Sequence, residues 1–219
     1  MAATRFLLSL LLLAAGTAAA GNDPVLAPPA ETLPPTLQAI RADLQRIVAA
    51  RDLRALRAHV REDTTLSFGG DTGPTGFDAL WASDPDATQR LWQELDAILA
   101  LPGVAQEEEG RDAYCAPYVF CLPHTADIDV FAAQVVLGRD VALRAQPDGR
   151  SAVLARISHA VVTRIDDGTE PVDWMHVRLA SGQEGFIATH LLRSPIDYRF
   201  SIVDEGAGRW RFQYFVAGD

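Results

Sequence analysis

Between Val141 and Leu192, apolar and polar positions alternate in short runs separated by turn residues, a period of two that predicts a succession of strands. Ahead of that stretch the period lengthens. Leu37, Ile40, Leu44, Ile47 and Val48 recur at helical spacing, and a shorter helix follows with Asp52 as N-cap and Leu53, Leu56 and Val60 on one face. Thr64 to Phe68 reads as a β run closed by Gly69-Gly70, and Thr75 to Trp81 as a further helix. The clearest helix start is Asp84-Pro85-Asp86, where a capping aspartate precedes a proline at the first helical position and a second acid sits by the positive end of the dipole. Leu91, Trp92, Leu95, Ile98 and Leu99 supply its buried face, and Pro102-Gly103 stops it. Past an acidic loop at Glu107, Glu108 and Glu109, Tyr114 to Leu122 reads as a strand and Pro123 to Asp129 as a connection.

Alternation returns after Leu192. Tyr198, Phe200 and Ile202 alternate, "DEGAGR" turns, and Trp210, Phe212, Tyr214 and Val216 alternate again, which predicts a hairpin with one apolar face. A lone hairpin is marginal in water and needs a larger sheet to join. The helical region before residue 130 has two predicted strands and no sheet of its own. The pattern therefore predicts an α+β chain in which residues 36–130 plus 194–219 form one discontinuous domain of helices and a curved sheet. A β-barrel at 136–193 is inserted into it.

Within that insert the order of motifs carries a family signal. Leu143-Arg144 followed by Pro147, then Val153 to Ile157, Val161 to Ile165, the aromatic strand Trp174 to Leu179, the turn Ser181-Gly182, Gly185-Phe186-Ile187 and a closing Leu191 resemble a bacterial SH3 (SH3b) domain. The resemblance implies a five- to seven-stranded barrel, with Phe186 where the family more often has tryptophan. Alternation along the aromatic strand sends Met175, Val177 and Leu179 to one face and Trp174, His176 and Arg178 to the other. Gly182 and Gly185 suit a tight turn and a close backbone approach. The flanking segments, with two helices, a strand, a long helix, a strand and a hairpin bearing "GRWR", resemble in topology the nuclear transport factor 2-like α+β cone.

Residues 1–20 read as a secretory signal peptide, with Arg5 in the n-region, Phe6 to Ala15 as the apolar core, and Ala18 and Ala20 at the cleavage site. The apolar run is shorter than the roughly 20 residues a membrane span needs, so the expected product is periplasmic or secreted and not membrane-inserted. Residues 21–35, with Pro24, Pro28, Pro29, Pro34 and Pro35, read as a loose Pro-rich leader. The formal charge is 19 minus 29, or −10, and becomes 18 minus 29, or −11, without Arg5. Such acidity makes nucleic acid an unfavourable partner. All nineteen basic residues are arginine, which excludes Schiff-base chemistry, a phosphate-loop lysine and a lysine general base.

The two cysteines, Cys115 and Cys121, lie six apart. In a straight strand their Cα atoms would be roughly 20 Å apart, whereas a disulfide needs about 4.4 to 6.8 Å. A disulfide therefore implies a turn, at Ala116-Pro117, and a straight strand implies two unpaired thiols on one face. Export favours pairing, and both alternatives stand at this level.

No catalytic or metal constellation emerges, and no cofactor is implied. A papain-like endopeptidase needs a thiolate at a helix start with a downstream histidine, but Cys115 sits in a strand-like run with only His124 nearby. His124, Asp127 and Asp129 lack a second histidine at ligand spacing, and His59, His159, His176 and His190 are scattered singly. Trp81, Trp92 and Trp210 fall at core periods. The expected function is an exported, non-enzymatic binding or adaptor protein whose SH3b module recognises cell-wall peptide or a protein partner through Trp174, Asp173, His176 and Arg144. The alternative is a small-ligand receptor or hydrolase using a pocket of the split domain, with Asp71 as its candidate general base.

Overall fold

A computed structural model describes residues 23–30, 32–122, 128–166, 168 and 172–218. The helices are α1 (Pro35–Ala50), α2 (Leu53–Arg57), α3 (Gly73–Phe77), which runs on into a π-helical turn at Asp78–Ala82, α4 (Pro85–Leu99) and α5 (Tyr118–Cys121). The strands are β1 (Val104–Glu108), β2 (Arg111–Ala116), β3 (Ala133–Val136), β4 (Val141–Arg144), β5 (Val153–Ile157), β6 (Val161–Arg164), β7 (Trp174–Arg178), β8 (Glu184–Ala188), β9 (Leu192–Arg193), β10 (Arg199–Gly206) and β11 (Arg209–Val216). The predicted caps are in place. Asp52 accepts from the Ala55 amide and Asp84 from the Asp86 amide, each satisfying a donor left open by the first helical turn.

Two antiparallel sheets result. One has the order β1-β2-β10-β11, so its two central strands come from either side of the segment that forms the other sheet. Phe200 opposes Ala116 and Ile202 opposes Tyr114 across that central pair. Helices α1 and α4 cover the sheet, and Leu37, Leu44, Leu91, Leu95, Ile98, Phe200, Trp210, Phe212 and Phe215 fill the core between them. The second sheet has the order β5-β4-β8-β7-β6-β3-β9. Ile157 from one end and Leu192 from the other enter a single core with Leu143, Met175, Val177 and Ile187, so the sheet rolls up around it. A third cluster joins the two units, with Tyr118 and Val119 of α5 against Ala133 and Val135 of β3.

Several local expectations are corrected. Tyr114 to Leu122 is not one strand: β2 ends at Ala116, a cis peptide leads into Pro117, and the chain turns into α5. The turn brings the Cys115 and Cys121 Cα atoms to 5.9 Å and the two are joined as a disulfide. The acidic stretch is a strand and a tight turn instead of a loop. Val104 to Glu108 pairs with β2, and Glu109 and Gly110, both at positive φ, make the reversal. Charge at an edge strand keeps it from pairing further, which is why composition alone hides it. Thr64 to Phe68 forms no strand, only single bridges from Thr65 to Thr72 and Tyr214. The helix expected from Thr75 begins at Gly73, and the rolled sheet begins at Ala133, ahead of residue 136.

The leader, expected to be loose, is docked where it is described. Pro24 accepts from the Val161 amide at 2.7 Å, the Leu26 amide donates to His159 at 2.8 Å, and Leu26 and Leu33 are buried. Proline-rich chain is already extended, so the residues between the prolines can offer their backbone to a sheet. Residues 1–22, the predicted signal peptide included, lie outside the described residues, as do His124 and Asp127. No helix among the described residues is long and apolar enough to cross a membrane.

Candidate functional site

Three neighbouring strands, β4, β8 and β7, position the outward face of the rolled sheet. Their pairing sets Arg144 opposite Phe186, and Phe186 opposite His176. Because side chains alternate along a strand, burying Met175 and Val177 turns Trp174, His176 and Arg178 outward. Gly185 permits the β4–β8 approach: a Cβ there would sit 2.8 Å from both the Arg144 carbonyl and the Leu143 side chain. Gly182, at φ +84°, makes the turn between β7 and β8.

The structure places the four predicted residues in two adjoining groups. Arg144 and His176 flank Phe186, whose ring lies 4.7 Å from the His176 ring at an interplanar angle of 15°. Arg144 Nη1 donates to the Ser151 carbonyl at 2.7 Å, which holds the guanidinium against the loop between β4 and β5. Asp173 and Trp174 line a shallow pocket of about 290 Å³ together with Val172, Ala188 and His190. Val172 is 82 % exposed there, an apolar side chain left at the mouth of the pocket.

Sequence reasoning missed Phe186, Glu184 and His190 as members of this face. Glu184 lies between two neighbours, 2.8 Å from Arg178 and 3.7 Å from the His176 ring. The signal was available in the alternation of β8, which puts Glu184, Phe186 and Ala188 on the side opposite Ile187.

A second concavity lies where the open end of the rolled sheet meets the linker into β10. It encloses about 480 Å³, and its walls include Phe131, Gln134, Arg164, Thr189, Ile196 and Asp197. Beside that linker stands half-buried Glu94 of α4, whose carboxyl burial pushes above its ordinary value, with Asp197 adding to the shift and Arg193 opposing it. A carboxyl raised in the folded state favours folding while it is protonated, below its unfolded value, and loses that contribution as pH rises through the folded value. Glu94→Gln is therefore expected to melt higher than the parent at neutral pH, by about 2 °C. The gain should vanish near pH 3, well below the ordinary glutamate value, where the carboxyl is protonated in both the folded and the unfolded chain. Thermal melts at the two pH values check this, and an equal gain at both contradicts it.

The other candidates hold no such arrangement. Asp71 is exposed in the turn after Phe68, its Oδ2 accepting from Ser67 Oγ at 2.6 Å. In the four-stranded unit Trp81, Trp92 and Trp210 are buried in the core, and a concavity of about 360 Å³ lies between α1 and the β10–β11 turn, lined by Ile40, Asp43, Asp204, Gly208 and Trp210 and well apart in sequence from Asp71. Asp129 accepts from the Phe131 amide in a local turn.

Comparison with known proteins adds one finding. No curated protein and no solved structure matches the chain. Residues 138–194, about a quarter of the chain, match the family model described as bacterial SH3 domain, and that span contains β4 to β9 and the whole outward face described above.

Proposed function

We propose that this chain is an exported, non-enzymatic binding protein whose SH3-like barrel recognises cell-wall peptide or a protein partner. The observation that carries the reading is the composition of the outward face. Arg144, Phe186 and His176 form a row across three strands, and Trp174 with Asp173 borders an open pocket at one end of it. Aromatic surface with adjacent hydrogen-bonding groups is the composition that peptide recognition uses. A cationic head beside stacked rings also suits a carboxylate-bearing partner. In this reading the barrel is an insertion in a discontinuous α+β domain akin to the nuclear transport factor 2-like cone, which serves as its carrier. Export follows from residues 1–20, and the disulfide agrees with an oxidising compartment. The loss of lysine chemistry and the exposed position of Asp71 support a role without catalysis.

The test is co-sedimentation of the processed protein with purified peptidoglycan. Trp174→Ala and His176→Ala are each expected to weaken capture about tenfold, or about 1.4 kcal/mol, with an unchanged melting temperature. Sedimentation no greater than that of an acidic control protein removes the cell-wall reading. A Trp174→Ala variant that unfolds instead assigns that ring to the core.

A further inference from the structure

The cleft at the open end of the barrel carries features that packing does not require. Thr189 Oγ1 is buried with no hydrogen-bond partner among the described residues. Gln134, only 7 % exposed, stands on β3 among the cleft-lining side chains. An unpartnered buried hydroxyl costs stability unless something satisfies it, and Thr189 and Gln134 line the same opening. Met175, Leu192 and Ile196 supply apolar wall, and Phe131, 64 % exposed, stands at the rim. Arg164 and Asp197 place opposite charges in the lining. The volume of about 480 Å³ falls within the range of small-ligand sites, which occur preferentially at such junctions and barrel mouths.

We infer that this cleft is a second ligand site, separate from the Trp174 face, and that it takes a short peptide of about three residues. A carboxamide offers one donor and one acceptor in a plane, the complement of a peptide group, and the threonine hydroxyl adds one further bond. The apolar wall accepts small side chains. Opposite charges in the lining favour a neutral or zwitterionic ligand, and the net charge of −10 disfavours a strongly anionic one. The two sites use opposite sides of β7: Met175 lines the cleft, and Trp174 lines the shallow pocket.

Amide NMR of the full chain, titrated with pooled tripeptides and separately with N-acetylglucosamine oligomers, tests the assignment. The tripeptides are expected to shift Gln134, Thr189 and Ile196. Thr189→Val, which keeps the shape and removes the hydroxyl, should weaken binding about tenfold while melting no lower than the parent. Thr189→Ser should restore binding, and Gln134→Leu should weaken it independently. Trp174→Ala should leave it unchanged, which separates this site from the proposed cell-wall face. The inference is overturned if the tripeptides shift nothing or only the Trp174 face, if Thr189→Val and Gln134→Leu bind as the parent does, or if the amino-sugar oligomers occupy the cleft instead.

Discussion

Removing residues 194–219 is expected to unfold the four-stranded unit while the rolled sheet survives. The deletion takes away β10, which is hydrogen-bonded to β2 on one side and β11 on the other, so the sheet is left with β1 and β2 alone. A two-stranded hairpin is marginal in water. It also removes Phe200, Ile202, Trp210, Phe212 and Phe215 from the core beneath α1 and α4. At about 1.5 to 3 kcal/mol for each large apolar side chain, the loss is comparable with the whole stability of a domain, about 5 to 15 kcal/mol. Helices α1 and α4 then have no surface to cover and melt with the sheet. Far-UV circular dichroism should lose most of its helical signal, and the amide resonances of β4 to β8 should stay dispersed. A truncated protein with unchanged helicity and midpoint would refute the arrangement, because the hairpin would then be an accessory.

Trp210→Ala should be the most damaging single substitution. The indole is 1 % exposed, and its Nε1 donates to Asp43 Oδ2 at 3.0 Å. One face stacks on the His59 ring at 3.5 Å, and Phe212 meets its edge at 5.5 Å. The His59 Nδ1 donates in turn to the Trp210 carbonyl at 2.8 Å, so the ring is fixed through its backbone as well as its side chain. Truncation leaves a cavity that the surrounding β10, β11 and α1 cannot close, and the expected cost is about 3 to 5 kcal/mol. Trp210→Phe should cost less, since it refills part of the space and leaves Asp43 only partly exposed beside Arg46. Denaturant unfolding measures both, and a loss under about 1 kcal/mol for the alanine variant would mean that the site collapses without strain.

Much of this fold is legible from period and capping. The faces of α1 and α4, the Asp52 and Asp84 caps and the terminal hairpin all follow from side-chain spacing, because an amphipathic face must be buried somewhere. The segment after Tyr114 is not legible in this way. Its apolar content is the same whether it runs straight or turns into α5, and only the docking of Tyr118 and Val119 onto β3 separates the two. The strand Val104–Glu108 was hidden for the opposite reason: a run of three glutamates looks like a loop until a partner strand takes up the backbone of Glu107 and Glu108, and Glu109 makes the turn. At the candidate site, the outward side of β7 was readable from alternation. The Phe186–His176 stack was not, because it depends on the register between two strands and not on either alone. The cleft was invisible to sequence reasoning, since its walls come from residues 131 to 218 and meet only in three dimensions.

The pairing of β2 with β10 also sets an order of events during synthesis. A chain emerging from its N-terminus delivers α1, α4, β1 and β2 first, yet their sheet lacks its middle partner until residues 199–216 follow. The strands from 133 to 193 come from one contiguous stretch, so their sheet can close once Arg193 has emerged. The unit that starts first is thus completed last, and its exposed apolar helix faces must stay unaggregated while the seven-stranded sheet forms.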